Sequence, residues 1–138
     1  MKDAVTLKMT LPKIPDIELV ALEGLERLAK QLGIADEKAG EAKILLTEAI
    51  INALEHAGEK NRSVRIEFTM TQKEITIFVR DDGEGFEPDS VEIPNLQAKM
   101  GSTKKRGWGI HLMKTLSDDF HIESSKHGTK ITLKKLLT

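Results

Sequence analysis

The amino-acid sequence predicts an α+β fold, a two-layer sandwich in which three helices cover one face of a mixed, mainly antiparallel sheet. Two observations lead to this prediction. Residues 63–81 and 121–136 each hold two stretches of alternating apolar and polar residues around a short turn, the pattern of a β-hairpin. Residues 16–58 instead repeat their apolar positions with the period of a helix. A chain of 138 residues buries roughly two-thirds of its unfolded surface, so we expect residues 1–138 to form a single domain.

The first predicted element is a strand. Val5, Leu7 and Met9 alternate with polar neighbours, which is typical of a half-buried strand. Pro12 and Pro15 would end it, because proline lacks the N–H that the ladder needs.

Two helices are predicted next. Asp16 is positioned to cap the first helix, and Gly33 to end it. The apolar positions of this helix are Leu19, Leu22, Leu25, Leu28, Ala29 and Leu32. Asp36 can cap the second helix, which Gly58 would close. Its predicted core stripe consists of Ala42, Leu45, Leu46, Ala49, Ile50, Ala53, Leu54 and Ala57.

A hairpin, a long loop, a short helix and a second hairpin complete the chain. The first hairpin should span residues 63–81 and turn at Gln72-Lys73. Residues 82–106 contain five glycines or prolines and no clear period, so we expect a long loop, with a lid at about 86–106. A short helix is expected after Gly109, and the last hairpin turns around His127-Gly128.

Composition excludes several classes of function. A net charge of −1 offers no global field for nucleic acid or an anionic membrane, so electrostatic recognition must be local. The chain has no cysteine, which excludes disulfides and thiolate metal sites. It shows neither an apolar leader nor a run long enough to span a bilayer. We therefore expect a cytoplasmic protein.

The second helix contains the first candidate site. Glu48, Asn52 and His56 are four residues apart and lie in one row along the helix. An amide oxygen suits Mg²⁺, and a neighbouring carboxylate can take a proton from a hydroxyl group or a water molecule. Taken alone, the row is better explained as the exposed side of an amphipathic helix.

Two glycine motifs follow. Asp81 ends the predicted strand and opens Asp81-x-Gly83-x-Gly85, where an acid could accept a hydrogen bond from an amino group beside backbone that glycine leaves open. Gly107 and Gly109 come just after Lys104-Lys105-Arg106, and backbone N–H groups at the start of a helix bind anions. Alone, the first motif also suits an ordinary turn and the second a solvated basic loop.

Together the three motifs resemble a known family. Glu48-x-x-x-Asn52, Asp81-x-Gly83-x-Gly85 and Gly107-x-Gly109 are similar to the N, G1 and G2 boxes of the GHKL (Bergerat-fold) ATP-binding superfamily. Within it, the pattern of both the second helix and residues 107–118 resembles the stand-alone RsbW/SpoIIAB type, anti-sigma factors that are also serine/threonine kinases. The resemblance covers essentially the whole chain.

The resemblance implies a role for each matching residue. Glu48 would be the catalytic base, and Asn52 would hold Mg²⁺ together with the ATP phosphates. Asp81 would bind the adenine amino group, while Gly83 and Gly85 shape the base pocket. The phosphates would be held by a third group of residues, namely Lys105, Arg106, Gly107, Trp108, Gly109 and Ile110. Of these, Lys105 and Arg106 are candidates because of their charge alone.

The implied function is an ATP- and Mg²⁺-dependent kinase that phosphorylates a STAS-type anti-anti-sigma partner and binds a sigma factor, with a homodimer possible. An alternative is a protein-binding module of the same fold, in which a bound nucleotide controls partner binding and no phosphate is transferred. A second is an interaction domain that binds no nucleotide. Phosphate detected on a partner separates the first two, and a nucleotide titration tests the third.

Overall fold

The structure is a computed structural model that describes residues 3–56, 63–81, 103–125 and 128–138, with only the backbone described for 56, 103–107 and 125. Its strands are β1 (Val5–Pro12), β2 (Ser63–Met70), β3 (Glu74–Asp81), β4 (Asp119–Ser125) and β5 (Gly128–Leu136). Its helices are α1 (Glu18–Gln31), α2 (Asp36–His56) and α3 (Thr103–Leu116). None of these helices is both long enough and apolar enough to cross a membrane.

The strands form one sheet in the order β1-β2-β3-β5-β4. The hairpin predicted for residues 63–81 is confirmed, with β2 and β3 paired from Val64 opposite Asp81 to Met70 opposite Ile75. The sequence allowed a mixed sheet, but all four pairings among the described strands are antiparallel. The α+β prediction is therefore confirmed, and the central strand β3 ends at Asp81.

The hydrophobic core lies between the helices and one face of the sheet. Every second residue of β2 and β3 is buried, as alternation predicts for a sheet covered on one side. The stripe predicted for α2 is likewise confirmed over its described part. Its buried members are Ala42, Leu45, Leu46, Ala49, Ile50, Ala53 and Leu54.

The start of α1 differs from the prediction. Asp16 does not cap it: the N-cap is Ile17, and no side chain caps the helix. Asp16 instead has a φ of 62°, a left-handed conformation that Asp tolerates better than most residues, and so makes the turn from β1. Leu19, expected in the buried stripe, is 50% exposed. The predicted stop is correct, since Gly33 follows α1 with a φ of 71°.

The start of α3 also differs. The helix begins at Thr103 rather than after Gly109, so both Gly107 and Gly109 lie inside it. Each glycine inside a helix costs about 1 kcal/mol relative to alanine. The helix nevertheless forms and packs against α2. Of the predicted lid at 86–106, residues 103–106 are therefore helical, and 86–102 lie outside the described residues.

A lysine from β5 joins α2 to the end of α3. Lys135 Nζ lies 2.9 Å from Glu41 Oε1 on α2 and donates a hydrogen bond of 2.8 Å to the carbonyl of Leu116, the last residue of α3. The lysine side chain is only 9% exposed. A cation at this position satisfies a carbonyl that α3 leaves unpaired at its C-terminus.

We predict that Glu41→Gln lowers stability at neutral pH and flattens its acid dependence. The hydrogen bond from Lys135 and its charge lower the pKa of Glu41 below the ordinary 4.5, although desolvation opposes the shift. A carboxyl with a lowered folded-state pKa stabilises the fold above its unfolded pKa, and this stability is lost as pH falls through the lowered pKa. The melting temperature should therefore fall less between about pH 7 and pH 3 in the variant than in the wild type.

The matched control for this experiment is Glu26→Gln. Glu26 forms ion pairs with Lys30 and Lys43, but its side chain is 48% exposed, so water already screens them. Its removal should change the melting temperature little. If the melting temperatures of the wild type and Glu41→Gln fall in parallel as the pH is lowered, the ionised Glu41 carboxyl does not stabilise the fold in this way.

Candidate functional site

The candidate site lies where α3 crosses α2. At Gly109 the two helices approach so closely that a Cβ atom on this residue would lie 2.7 Å from Glu48 Oε1. No other side chain at position 109 would leave the carboxylate where it is. The structure thus brings together Glu48 and Gly109, two residues that the sequence predicts to belong to one site.

Asn52 lies one turn along α2 from Glu48 and is 2% exposed. Neither Oδ1 nor Nδ2 of its side chain has a hydrogen-bond partner within the described part of the chain. An amide buried in this way costs about 1–3 kcal/mol, and native proteins rarely leave one unsatisfied. Asn52 is therefore a polar group that requires a partner the described residues do not supply.

The carboxyl of Glu48 is half-buried. Desolvation raises its pKa above the ordinary 4.5, and the negative charge of Glu55 raises it further. Burial and a second acid thus both favour a proton on this group. A carboxylate with a raised pKa is a stronger base, which is the property that general-base chemistry requires.

These residues surround a cavity of about 340 Å³ between α2 and α3. From α2 the lining consists of Glu48, Ile51, Asn52 and Glu55, and from α3 it consists of Trp108, Gly109 and Leu112. The Trp108 ring is 37% exposed and lies edge-on to His111, with ring centroids 6.0 Å apart. The cavity combines apolar walls with two acids and one amide, the composition of a small-molecule site.

Asp81 is fully buried at the end of β3, opposite Val64 on β2 and Thr129 on β5. It is not among the residues that line the cavity between α2 and α3. The acid that the sequence predicts to bind the adenine amino group is therefore buried in the described part of the structure, between one apolar and one polar cross-strand neighbour.

The other predicted site residues fall into three groups. Gly83 and Gly85 lie outside the described residues, as do the side chains of Lys105 and Arg106. Gly107 belongs to α3, so its N–H lies at an intrahelical position rather than ahead of the helix. The side chain of Ile110 is 4% exposed and packs in the core.

Sequence reasoning missed Glu55, Ile51 and Leu112. Glu55 lies two turns from Glu48 and three residues from Asn52, so a longer look at the same helix row would have found it. Ile51 and Leu112 follow an apolar pattern that the core would explain equally well. Only the contact between α2 and α3 identifies them as part of the cavity.

A metal at this site would need ligands beyond the protein. Among the described residues, no group of three or more His, Cys, Asp or Glu side chains could hold a metal ion. The unsatisfied Oδ1 of Asn52 nevertheless fits Mg²⁺, which prefers oxygen ligands and usually keeps water or phosphate oxygens as well.

Comparison with known proteins identifies the family. Residues 15–135 match the histidine kinase-like ATPase domain. Among curated relatives, an anti-sigma F factor from Clostridium novyi is 30% identical over 95% of this chain and 94% of its own. The serine-protein kinase RsbW from Oceanobacillus iheyensis is 27% identical over 95% and 86%. The chain therefore belongs to the histidine kinase-like ATPase family.

Solved structures share the fold. The chain is similar to a structure of the RsbU and RsbW domains from Mycobacterium tuberculosis, with a TM-score of 0.69 and 16% identity over 96% of this chain and 32% of that one. The catalytic domain of the histidine kinase ThkA gives a TM-score of 0.54 and 14% identity, covering 97% of each chain. These similarities concern the fold alone.

We predict that Gly109→Ala displaces the Glu48 carboxylate while the fold survives. The new methyl group would lie 2.7 Å from Oε1, and a flexible side chain can move away from it. Alanine also favours a helix by about 1 kcal/mol over glycine. The pKa of Glu48, followed by ¹³C NMR of its carboxyl, should therefore change without a loss of thermal stability.

Gly40→Ala provides the matched control. Gly40 lies in α2, and apart from its chain neighbours and the backbone of its own helix no atom of the described residues lies within 4 Å of a Cβ built there. The Gly40→Ala substitution adds the same methyl group and gives the same gain in helix preference, but it should leave the titration of Glu48 unchanged. Identical titration curves for the two variants would show that Gly109 does not determine the carboxylate position.

Proposed function

We propose that this protein is an ATP- and Mg²⁺-dependent serine/threonine protein kinase and anti-sigma factor. Its substrate would be a STAS-type anti-anti-sigma protein, and its second partner a sigma factor, so that phosphorylation switches it between the two. It would act in the cytoplasm, as a single domain over residues 1–138 with an ATP lid at about 86–106, and a homodimer is compatible with this role.

The observation that best supports the proposal is the buried, unsatisfied amide of Asn52 beside the Glu48 carboxylate. Its Oδ1 would hold Mg²⁺, which supplies positive charge for the ATP phosphates when it is bound. Its Nδ2 would remain available to donate a hydrogen bond. An apolar core alone gives no reason for an asparagine at this position.

Glu48 would act as the general base. It would take the proton of the partner's hydroxyl group as that oxygen forms its bond to the γ-phosphorus, and the bond from phosphorus to the ADP oxygen breaks. Its raised pKa and half-buried position support this role. Gly109 contributes by leaving space for the carboxylate.

The remaining roles follow the family pattern. Asp81 would accept a hydrogen bond from the adenine amino group, and Gly83 and Gly85 would shape the base pocket. The phosphates would lie near Lys105, Arg106 and the segment 107–110. Phosphoryl transfer depends mainly on positioning and charge stabilisation, which a domain of this size can supply.

The partner assignments rest on the relatives. Curated relatives of this chain are named anti-sigma F factor and serine-protein kinase RsbW, and the chain spans most of their length. The match over nearly entire chains supports a shared role for the whole domain rather than a shared ATPase fold alone.

The alternative is a nucleotide-gated binding module of the same fold, in which ATP changes partner affinity but no phosphate moves. The specific observation that favours a kinase is Glu48, because mere nucleotide binding does not need a half-buried acid with a raised pKa beside Asn52. Phosphorylation of a purified STAS partner separates the two.

We predict that Asn52→Ala weakens Mg-ATP binding by at least about tenfold, or about 1.4 kcal/mol, while the fold survives. The variant removes buried polar atoms that form no hydrogen bond to the described residues. Calorimetry with Mg-ATP should show the loss, whereas ATP with a chelator should bind both proteins similarly. A folded variant with wild-type Mg-ATP affinity would exclude the metal role.

We predict that Glu48→Gln keeps nucleotide affinity within a few-fold but lowers phosphotransfer by roughly a hundredfold or more, the usual scale for loss of a general base. Single-turnover transfer of labelled phosphate to the STAS partner measures this. Glu55→Gln is the matched control, because it lines the same cavity and removes the same charge.

Glu55→Gln should lose far less activity than Glu48→Gln. Equal losses would mean that the cavity needs negative charge rather than a base at Glu48. A wild-type protein that binds ATP and the partner yet transfers no phosphate would favour the binding module.

A further inference from the structure

Residue 135 interrupts the apolar, buried face of β5. Ile131 and Leu133 on this face are 0% and 1% exposed and belong to the hydrophobic core, and the next position on the same face is Lys135. The lysine side chain is only 9% exposed. Burial of a charged group costs free energy that an apolar side chain of similar length would not incur. Packing alone therefore gives no reason for a lysine at this position.

The Lys135 side chain connects the two helices that line the candidate site. Its Nζ lies 2.9 Å from Glu41 Oε1 on α2 and donates a hydrogen bond of 2.8 Å to the carbonyl of Leu116 on α3. A second cation, Lys38, lies 3.7 Å from the same oxygen of Glu41, but both residues belong to α2, so this pair stays within one helix. Lys135 thus supplies a polar link between α2 and α3.

This link lies two helical turns from the site on both helices. Glu41 precedes Glu48 by seven residues on α2, and Leu116 follows Gly109 by seven residues on α3. Seven residues make nearly two turns, so the members of each pair lie on one side of their helix, about 10.5 Å apart. The two helices are therefore related at two points: Gly109 lies against Glu48, and Leu116 is joined to Glu41 through Lys135.

The other supports of α3 act in a different way. Ile110 and Met113 are 4% and 0% exposed and pack in the core, but apolar burial has no preferred direction. The chain after the helix is tied to β5, because the N–H of Asp118 donates a 2.8 Å hydrogen bond to the carbonyl of Lys134. The polar contacts of Lys135 add a defined distance from the end of α3 to α2.

We propose that Lys135 is a positioning residue of the candidate site: it holds the end of α3 at a fixed distance from α2 and so keeps Gly109 against the Glu48 carboxylate. Without this link, α3 can move away from α2, and water then reaches the carboxylate. The effect on phosphotransfer rests on the proposed kinase function, whereas the effect on the position and solvation of Glu48 does not.

The test replaces Lys135 by methionine, which keeps most of the length of the side chain and removes its charge. The matched control is Lys134→Met, the same change at the neighbouring residue of β5, whose side chain is 44% exposed and pairs with Glu74. Phe68→Leu is a second control. Phe68 is fully buried near Gly24 of α1, so this variant loses core packing without a change at α3.

The direction in which the pKa of Glu48 changes separates a positioning role from a purely electrostatic one. Desolvation raises the pKa of this carboxyl, so movement of α3 away from it should lower the pKa in Lys135→Met. Loss of the positive charge, which also leaves the negative charge of Glu41 without Lys135, would act in the opposite direction and raise the pKa. The titration is followed by ¹³C NMR of the Glu48 carboxyl.

We expect Lys135→Met to lower the Glu48 pKa and to shift the amide resonance of Gly109, and we expect both controls to leave them unchanged. In phosphotransfer to the STAS partner, kcat should fall about tenfold or more while KM for Mg-ATP changes about threefold or less, because a misplacement of about 1 Å can cost about a hundredfold in rate.

If Lys135→Met does not fold, the double variant Glu41→Gln with Lys135→Met takes its place. Removal of both partners of a buried ion pair is better tolerated than removal of one. The double variant leaves the net charge unchanged, and the pKa of Glu48 should fall in it as well.

A Glu48 pKa that rises or stays at the wild-type value in Lys135→Met would overturn the proposal. An equal fall in Phe68→Leu would also overturn it, because the effect would then come from a general loosening of the fold. If the wild type transfers no phosphate, the kinase function fails, and the titration of Glu48 still decides the role of Lys135.

Discussion

Helix α2 has two faces with opposed requirements, and the remaining elements are arranged around them. One stripe, from Ala42 to Leu54, is buried against the sheet and α1. The side that turns towards α3 bears Glu48 and Asn52. This packing holds the helix in place, because close-packed protein interiors tolerate little movement. The polar side chains thereby gain a defined position that a loop could not give them.

The second support of the site is α3, whose own sequence is a poor helix former around Gly107 and Gly109. Its far end is secured by Lys135, which reaches the carbonyl of Leu116 from β5 and contacts Glu41 on α2. The same lysine thus links β5 to the two helices that line the cavity. A disturbance of this buried contact would reach the site through the position of α3, without touching a site residue.

The strands and α2 could be predicted from the sequence, because burial on one side imposes an alternating apolar pattern on a strand and a helical period on a helix. The sequence was insufficient where tertiary contacts override local preference. The glycine at position 109 suggested the end of a loop, but in the structure it leaves room for the side chain of Glu48. Asp16 looked like a cap and is instead a left-handed turn residue. Glu55 went unnoticed, since spacing alone does not show that α3 lies across from it.

Trp108 gives the protein a built-in optical reporter. It is the sole tryptophan of the chain, lines the cavity between α2 and α3, and is partly open to water. Indole emission responds to the polarity of its surroundings. The occupancy of the cavity can therefore be read from unlabelled protein in real time, because Trp108 supplies all of the tryptophan emission.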